Sequence, residues 1–164
     1  MGKKSTLAVD NVFCTARYEA AKENIAFQSR EATAPILGID RTRLANIELG
    51  KLTPYPEEVL TMSKHYGTPE ICNAYCSRYC PLGKSTVKEL TLDDLDRLML
   101  KVLGSLKGIE QLRTRLITIA EDGEITGSEQ TDFEGVLQEL QDVSQNAQTL
   151  QLWAKKYIDD FNSK

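Results

Sequence analysis

Apolar residues recur at helical spacing through the first half of the chain, and residues that begin or end helices bound each run. Leu44 and Ile47 are three positions apart and lie on one side of a predicted helix. Asp40 is a suitable N-cap, because its side chain can accept hydrogen bonds from the free N–H groups of a first turn. Gly50 marks the end of the run. The pattern predicts a helix over residues 41–49.

A second short helix is predicted immediately before this one. Ser29 can cap a helix over residues 30–37, in which Ala34 is small enough for close contact between helices. Only residues 38–40 separate the two predicted helices. Two short helices joined by such a turn form a helix-turn-helix.

Further helices are predicted on both sides of this pair. The first covers residues 12–27, and its charged residues are assigned to the outer face: Arg17, Glu19, Lys22 and Glu23. A later helix covers residues 57–66 and carries an apolar set: Val59, Leu60, Met62 and Tyr66. After it, Thr68 is predicted to cap a further helix, because proline is tolerated at the first helical position that follows.

These residues together carry a resemblance to a known family. Leu37-Gly38-Ile39-Asp40, Leu44, Ile47-Glu48-x-Gly50-Lys51, Pro54 and Tyr66-Gly67 resemble the helix-turn-helix domain of the phage-repressor (Cro/C1, or XRE) transcriptional regulators. The resemblance covers residues 17–75, and the whole chain is similar to regulators of this family from Gram-positive anaerobes. It implies a lambda-repressor-like domain that binds double-stranded DNA as a homodimer.

The resemblance also assigns candidate DNA contacts. Three residues of the 41–49 helix are expected to read bases in the major groove: Arg41, Thr42 and Asn46. Four are expected to contact phosphates: Ser29, Arg30, Arg43 and Lys51. Side-chain chemistry agrees, since arginine can bond guanine and asparagine can bond adenine through two hydrogen bonds each. Pro35 departs from an ideal second helix, because proline removes a donor and should kink or shorten it.

Four cysteines need a separate explanation. Cys72, Cys76 and Cys80 recur every four residues, which on one helix places them along a single stripe, and Cys14 could join them through the fold. Structural zinc sites usually pair cysteines on turns rather than along a helix. Packing as small buried side chains is therefore the preferred interpretation, and a metal, iron–sulfur or redox-sensing role is the alternative.

The last part of the chain has the pattern of two long helices. Thr91 is predicted to cap the first, which ends near residue 121, and a turn at residues 122–129 leads to the second, at residues 129–161. The first has an apolar seam: Leu92, Leu95, Met99, Val102, Leu106, Ile109, Leu116 and Ala120. The second has a heptad series: Phe133, Val136, Leu140, Val143, Ala147, Leu150, Ala154, Tyr157 and Phe161. Together they predict a long antiparallel helical hairpin.

Other apolar residues lie off these seams, and a hairpin alone has too little interior to cover them. They are Leu98, Leu103, Leu112, Ile119, Leu137, Leu152 and Trp153. A second copy of the chain is the preferred cover, with Leu137, Leu152 and Trp153 in the dimer interface. The alternative is that these residues fold back on the helix-turn-helix domain of the same chain.

Charge divides unevenly between the two predicted domains. Residues 1–85 contain 11 Lys and Arg against 9 Asp and Glu, or +2, whereas residues 86–164 contain 9 against 15, or −6. A domain with so little positive charge should bind DNA weakly by itself, so specific affinity is expected to require the dimer.

Composition and motifs exclude several other classes. The 164 residues contain no apolar run as long as a membrane span and no apolar signal-peptide region, which predicts a cytoplasmic protein. No nucleophile–base set, paired carboxylates or phosphate-binding glycine loop points to an enzyme or a cofactor. We therefore expect an all-α transcriptional regulator. The alternatives are a protein-interaction adaptor that kept the fold, which Pro35 and the low domain charge permit, and a cysteine-based redox- or metal-responsive repressor.

Overall fold

The computed structural model describes residues 10–120, 125, 127 and 129–158, and helices are the only regular secondary structure among these residues. The chain divides after Glu89 into two compact units, where the sequence predicted a boundary after residue 85. The described helices are α1 (Val12–Glu23), α2 (Arg30–Leu37), α3 (Arg41–Glu48), α4 (Pro56–Tyr66), α5 (Glu70–Arg78), α6 (Gly83–Thr86), α7 (Leu95–Leu106), α8 (Ile109–Ala120) and α9 (Gln130–Tyr157). Among the described helices, none combines the length and apolar character needed to cross a bilayer.

Helix α1 is shorter than predicted. It begins where Asn11 accepts hydrogen bonds from the backbone N–H groups of Phe13 and Cys14, at 3.0 and 3.1 Å. It ends at Glu23 because Asn24 has an extended backbone, with φ of −138°. The Asn24 side chain then accepts from the N–H of Ala26 at 3.0 Å and begins a separate 3₁₀ turn. The prediction of one helix over residues 12–27 was therefore wrong at its C-terminal end.

The first unit is built around one apolar core to which α1–α5 all contribute. Its buried members are Phe13, Ala16, Ala20, Phe27, Ala34, Leu37, Ile39, Leu44, Ile47, Val59, Met62, Tyr66 and Ile71. Phe27 and Tyr66 meet edge to face, with ring centroids 5.3 Å apart. Arg17 also lies inside, with 2% of its surface exposed, so its predicted place on the outer face of α1 was wrong.

The end of the first unit lies beyond the domain boundary that the sequence predicted after residue 85. Helix α5 ends at Arg78, so Cys80 lies beyond it and the three cysteines do not share one continuous helix. The short helix α6 then packs closely on α5: a Cβ added to Gly83 would lie 2.1 Å from the carbonyl oxygen of Cys76. Arg78 pairs with Glu89, which ties the following segment to α5 as well. Residues 83–89 are thus part of the first unit.

In the second unit, two helices replace the single long helix that was predicted to begin at Thr91. Helix α7 begins only at Leu95, and Asp94 makes no capping hydrogen bond through its side chain. Lys107 and Gly108 separate α7 from α8, and both helices contact α9. Arg115 links α8 to α9 through hydrogen bonds to Asp132 and Glu139, at 2.9 and 2.5 Å. Most of the turn predicted at residues 122–129, and Phe161, lie outside the described residues.

The interior of the second unit draws on both predicted apolar stripes. Val136 and Ala154 of the heptad series are buried as predicted, and Leu116 and Phe133 pack against the core. Buried inside the unit are residues that were assigned off the seam: Leu98, Leu112, Ile119 and Leu152. Residues of the predicted seam are 38–44% exposed: Leu95, Met99, Leu106 and Ile109. Leu152 therefore packs within its own chain, which corrects its assignment to a dimer interface. Leu137 is half-exposed, and Trp153 is half-buried beside Tyr157.

Candidate functional site

Helix α3 has one buried face and one polar face, and both follow from local sequence. It begins at Arg41 because one carboxylate oxygen of Asp40 accepts from the N–H groups of Thr42 and Arg43, at 2.8 and 3.0 Å. Leu44 and Ile47 are completely buried and hold the helix against the core. The opposite face consequently points away from the core.

The polar face presents a guanidinium, a hydroxyl and an amide. Arg41 and Thr42 are exposed and Asn46 is half-buried. Within the described residues the Asn46 amide has no hydrogen-bond partner, while the Asn46 carbonyl oxygen accepts from the N–H groups of Lys51 and Leu52. Arg41 makes a loose, exposed ion pair with Glu31 at 3.3 Å. Such a pair is worth little, so the guanidinium can exchange partners readily.

A buried cluster of ion pairs fixes the orientation of α3. Glu48, next to Ile47 and fully buried, accepts from Arg17 of α1 at 2.6 and 3.0 Å and from Arg30 of α2 at 2.6 Å. Arg17 also donates to the carbonyl oxygen of Phe27 at 2.8 Å. We call Arg17, Glu48 and Arg30 the buried ion cluster. It joins the first three helices through one carboxylate.

The charges of this cluster change the acidity of the groups around it. Burial lowers the pKa of Arg17, but hydrogen bonds and the negative charge of Glu48 raise it by more, so the pKa lies above its ordinary value. Burial and the same carboxylate raise the pKa of Tyr66. Burial first and Glu48 second raise the pKa of the Cys14 thiol. Arg17 is thus charged and Tyr66 and Cys14 are neutral at physiological pH.

The four residues predicted to contact phosphates differ in whether their side chains already have partners within the protein. The Ser29 hydroxyl caps α2 by accepting from the N–H of Ala32 at 3.1 Å. Arg30 belongs to the buried ion cluster. Arg43 donates to both oxygens of Glu58, at 2.6 and 2.8 Å, and lies 4.3 Å above the ring of Tyr55.

Lys51 differs from the other three. It is exposed, and within the described part of the chain it makes no ion pair. It follows α3 directly, with its N–H donated to the Asn46 carbonyl oxygen at 2.8 Å. Lys51 is therefore the predicted phosphate contact that needs no change of partner, whereas Arg30 and Arg43 would have to leave a carboxylate.

The cysteines are dispersed between core and surface. Cys14 is buried in the core, whereas Cys72, Cys76 and Cys80 are half-buried. In the residues that the structure describes, no group of three or more His, Cys, Asp or Glu side chains is placed to hold a metal ion. Burial, followed by the neighbouring thiols Cys80 and Cys72, raises the pKa of Cys76, which disfavours the reactive thiolate.

Sequence reasoning missed the buried ion cluster. Arg17 and Glu48 lie 31 residues apart, so no helical spacing in the sequence relates them. The one available indication was that Arg17 follows Ala16 on the same side of α1 as Phe13 and Ala20.

Comparison of the chain with protein-family models, with curated proteins and with solved structures gave no match.

Proposed function

We propose that this protein is a sequence-specific DNA-binding transcriptional regulator. In this proposal α2 and α3 act as a helix-turn-helix, and the polar face of α3 enters the major groove. The supporting observation is a capped helix whose exposed side carries Arg41, Thr42 and Asn46, while its other side is held rigidly by apolar packing and the buried ion cluster. Side chains that read bases need such a fixed support, because a loose helix would lose hydrogen-bond geometry.

Phosphate contacts complete the proposed interface. Lys51 is exposed next to the end of α3, and the N-terminus of α2 at Ser29 offers backbone N–H groups to an anion. Arg30 and Arg43 support the helices through Glu48 and Glu58 and reach phosphate only by exchanging partners. We therefore assign the main non-specific contact to Lys51 and a positioning role to the two arginines.

The direct test is selection of bound duplexes from a random DNA pool with the full-length chain. An enriched sequence is expected. On that sequence Arg41→Ala should weaken binding by about 1–3 kcal/mol and relax the preference at one base pair. Lys51→Ala should weaken all duplexes alike and reduce the slope of log affinity against log salt by about 1. Failure to enrich any sequence, or equal loss of preference in both variants, would contradict the proposal.

Dimer formation through the second unit is the other part of the proposal. A largely apolar groove of about 370 Å³ lies between α8 and α9, lined by Ile109, Leu112, Leu116, Ile117 and Leu140 together with Arg113. Ile117 is 52% exposed and Leu137, nearby in sequence to Leu140 on α9, is 50% exposed. A second copy of the same unit would cover this apolar surface, and an isologous pair would place two copies of α3 for binding to one operator.

Charged substitutions at this apolar surface should dissociate the proposed dimer. Ile117→Glu combined with Leu137→Glu is expected to give a folded monomer whose affinity for the selected operator is at least about tenfold lower, because one copy makes half of the contacts. Sedimentation measures the mass and circular dichroism the fold. Gln138→Glu, which adds a charge at an exposed position of α9 beside Leu137, is the control. A monomeric unmodified protein at micromolar concentration, with and without operator, would refute the dimer.

A protein-interaction adaptor is the second candidate. The observation in its favour is that Arg30 and Arg43 are already neutralised by carboxylates in a unit of low net charge. An adaptor would use the same polar face of α3 for a protein partner. The duplex selection separates the two functions, since an adaptor enriches no sequence.

A further inference from the structure

A cavity of about 270 Å³ in the first unit has no part in the proposed DNA interface. It lies between α1 and α5, which contact each other, and extends from the start of both helices to Glu19 on α1 and Arg78 at the end of α5. Val12, Ala16 and Ile71 form its apolar wall. Its volume is slightly below the range of about 300–1,000 Å³ that is usual for small-molecule sites, which limits the occupant to a small compound.

One polar group in this cavity lacks a partner. Thr68 lines the cavity, is 5% exposed, and its hydroxyl is buried without any hydrogen bond. The backbone of Thr68 is fully used: its N–H donates to Ser63 at 3.1 Å, and its carbonyl oxygen accepts from Ile71 at 3.2 Å. The hydroxyl does not cap α5 as the sequence predicted. Buried hydroxyls are almost always paired, so this one is available to a ligand.

The charge around the cavity is negative. Three carboxylate residues line it, Asp10, Glu19 and Glu70, against one guanidinium, Arg78. Arg78 is paired with Glu89 and Glu19 with the exposed Lys22, and three carboxylates against one guanidinium give the lining a formal charge of −2. The described residues contain no cluster of ligating side chains fit for a metal ion, so an organic cation suits the site better than a divalent one.

We propose that this cavity binds a small aliphatic diamine. One ammonium group donates to the Thr68 hydroxyl and to the carboxylate of Glu70, and its methylene chain lies along Val12, Ala16 and Ile71. The second ammonium group lies toward the exposed carboxylates of Asp10 and Glu19. Charge-assisted hydrogen bonds of this kind are stronger than neutral ones, and the apolar wall adds contact with the chain.

Calorimetric titration of the full-length protein with 1,4-diaminobutane, without DNA, tests this site. We expect binding of the diamine and none of succinate, which has the same chain length and opposite charge. Thr68→Val should weaken diamine binding at least about fivefold, because it removes the acceptor and keeps the shape. Glu70→Gln should weaken it similarly, and Thr61→Val, outside the cavity, should leave it unchanged.

Thermal unfolding distinguishes a ligand contact from a structural role. Because the Thr68 hydroxyl has no partner in the unliganded protein, Thr68→Val should leave the Tm unchanged or raise it. A diamine that fails to bind at millimolar concentration, succinate that binds as well as the diamine, or binding that survives Thr68→Val unchanged would overturn the proposal. None of these outcomes depends on whether the protein binds DNA.

Discussion

Glu48→Ala is expected to lower the free energy of unfolding of the first unit by about 3–5 kcal/mol, the usual effect of removing one partner from a buried ion pair. Arg17 is 2% exposed, and Glu48 supplies both oxygens to it. Without that carboxylate, Arg17 would stay charged in an apolar environment, with the carbonyl oxygens of Phe27 and Gln28 and the ring of Tyr18 as its remaining partners. Arg30 would lose its partner too, but it is partly exposed and can turn toward water.

Hydrogen exchange of peptides from α1 and α3 measures this loss, because the single tryptophan, Trp153, lies in the second unit and does not report the first. Glu19→Ala is the matched control. Glu19 pairs with Lys22 in solvent, and such exposed pairs contribute less than about 1 kcal/mol. The double variant Arg17→Met with Glu48→Leu should recover most of the stability, since apolar residues often replace a buried pair without loss. Equal effects of Glu48→Ala and Glu19→Ala would contradict the role of the cluster.

Loss of the Glu48 carboxylate should also change DNA binding at the proposed surface. Glu48 is the last residue of α3, and its contacts to α1 and α2 fix how α3 lies on the core. The same change frees Arg30 for phosphate. In Glu48→Ala, non-specific affinity should therefore rise while sequence preference falls. This outcome would distinguish Arg30 as a phosphate contact from Arg30 as a support for the helices.

Helices α2 and α3 were predictable from the sequence because their limits are set locally. Asp40 caps α3, Ser29 caps α2, and Gly38 ends α2 with a φ of 65°, in the left-handed region that glycine tolerates. Each of these three residues lies directly beside the helix end that it determines. Helix α2 even continues through Pro35 to its predicted end. The exposed positions of Arg41 and Thr42 follow from the same limits and from helical spacing.

What the sequence could not predict depends on contacts between distant residues. Arg17 and Glu48 satisfy each other across 31 residues, and only the fold brings them together. Arg43 and Glu58 are 15 residues apart, and their pairing engages a side chain that the family resemblance had assigned to phosphate. Hydrogen bonds from Arg43, opposed by burial, lower the pKa of Glu58, so this pair is fully charged at physiological pH.

In the second unit, the prediction from sequence failed for a different reason. Its helices carry two apolar stripes, and sequence periodicity alone does not say which one faces the partner helix. The break at Lys107 and Gly108 divides the predicted first helix, so that α7 and α8 contact α9 separately. Leu98 and Leu112 then lie inside, and four residues of the predicted seam are left partly exposed: Leu95, Met99, Leu106 and Ile109. A prediction based on one unbroken helix could not include this change.

Leu98→Ala is expected to lower the free energy of unfolding of the second unit by about 2–5 kcal/mol, because it removes a fully buried side chain and leaves a cavity. Leu103→Ala is the matched control on the same helix, since Leu103 is 64% exposed and its truncation should change stability by less than about 0.5 kcal/mol. Fluorescence of Trp153 during denaturant unfolding reports this unit selectively.

The pair of variants decides which stripe of α7 is packed. If the predicted seam were the inner face, Leu98→Ala would have little effect and Met99→Ala, now 40% exposed, would be the more damaging change. The measurement should be made at high dilution, because any association of copies would stabilise the unit by mass action and hide the difference. At such dilution a loss confined to Leu98→Ala would place Leu98 on the packed face of α7 and Met99 on its other face.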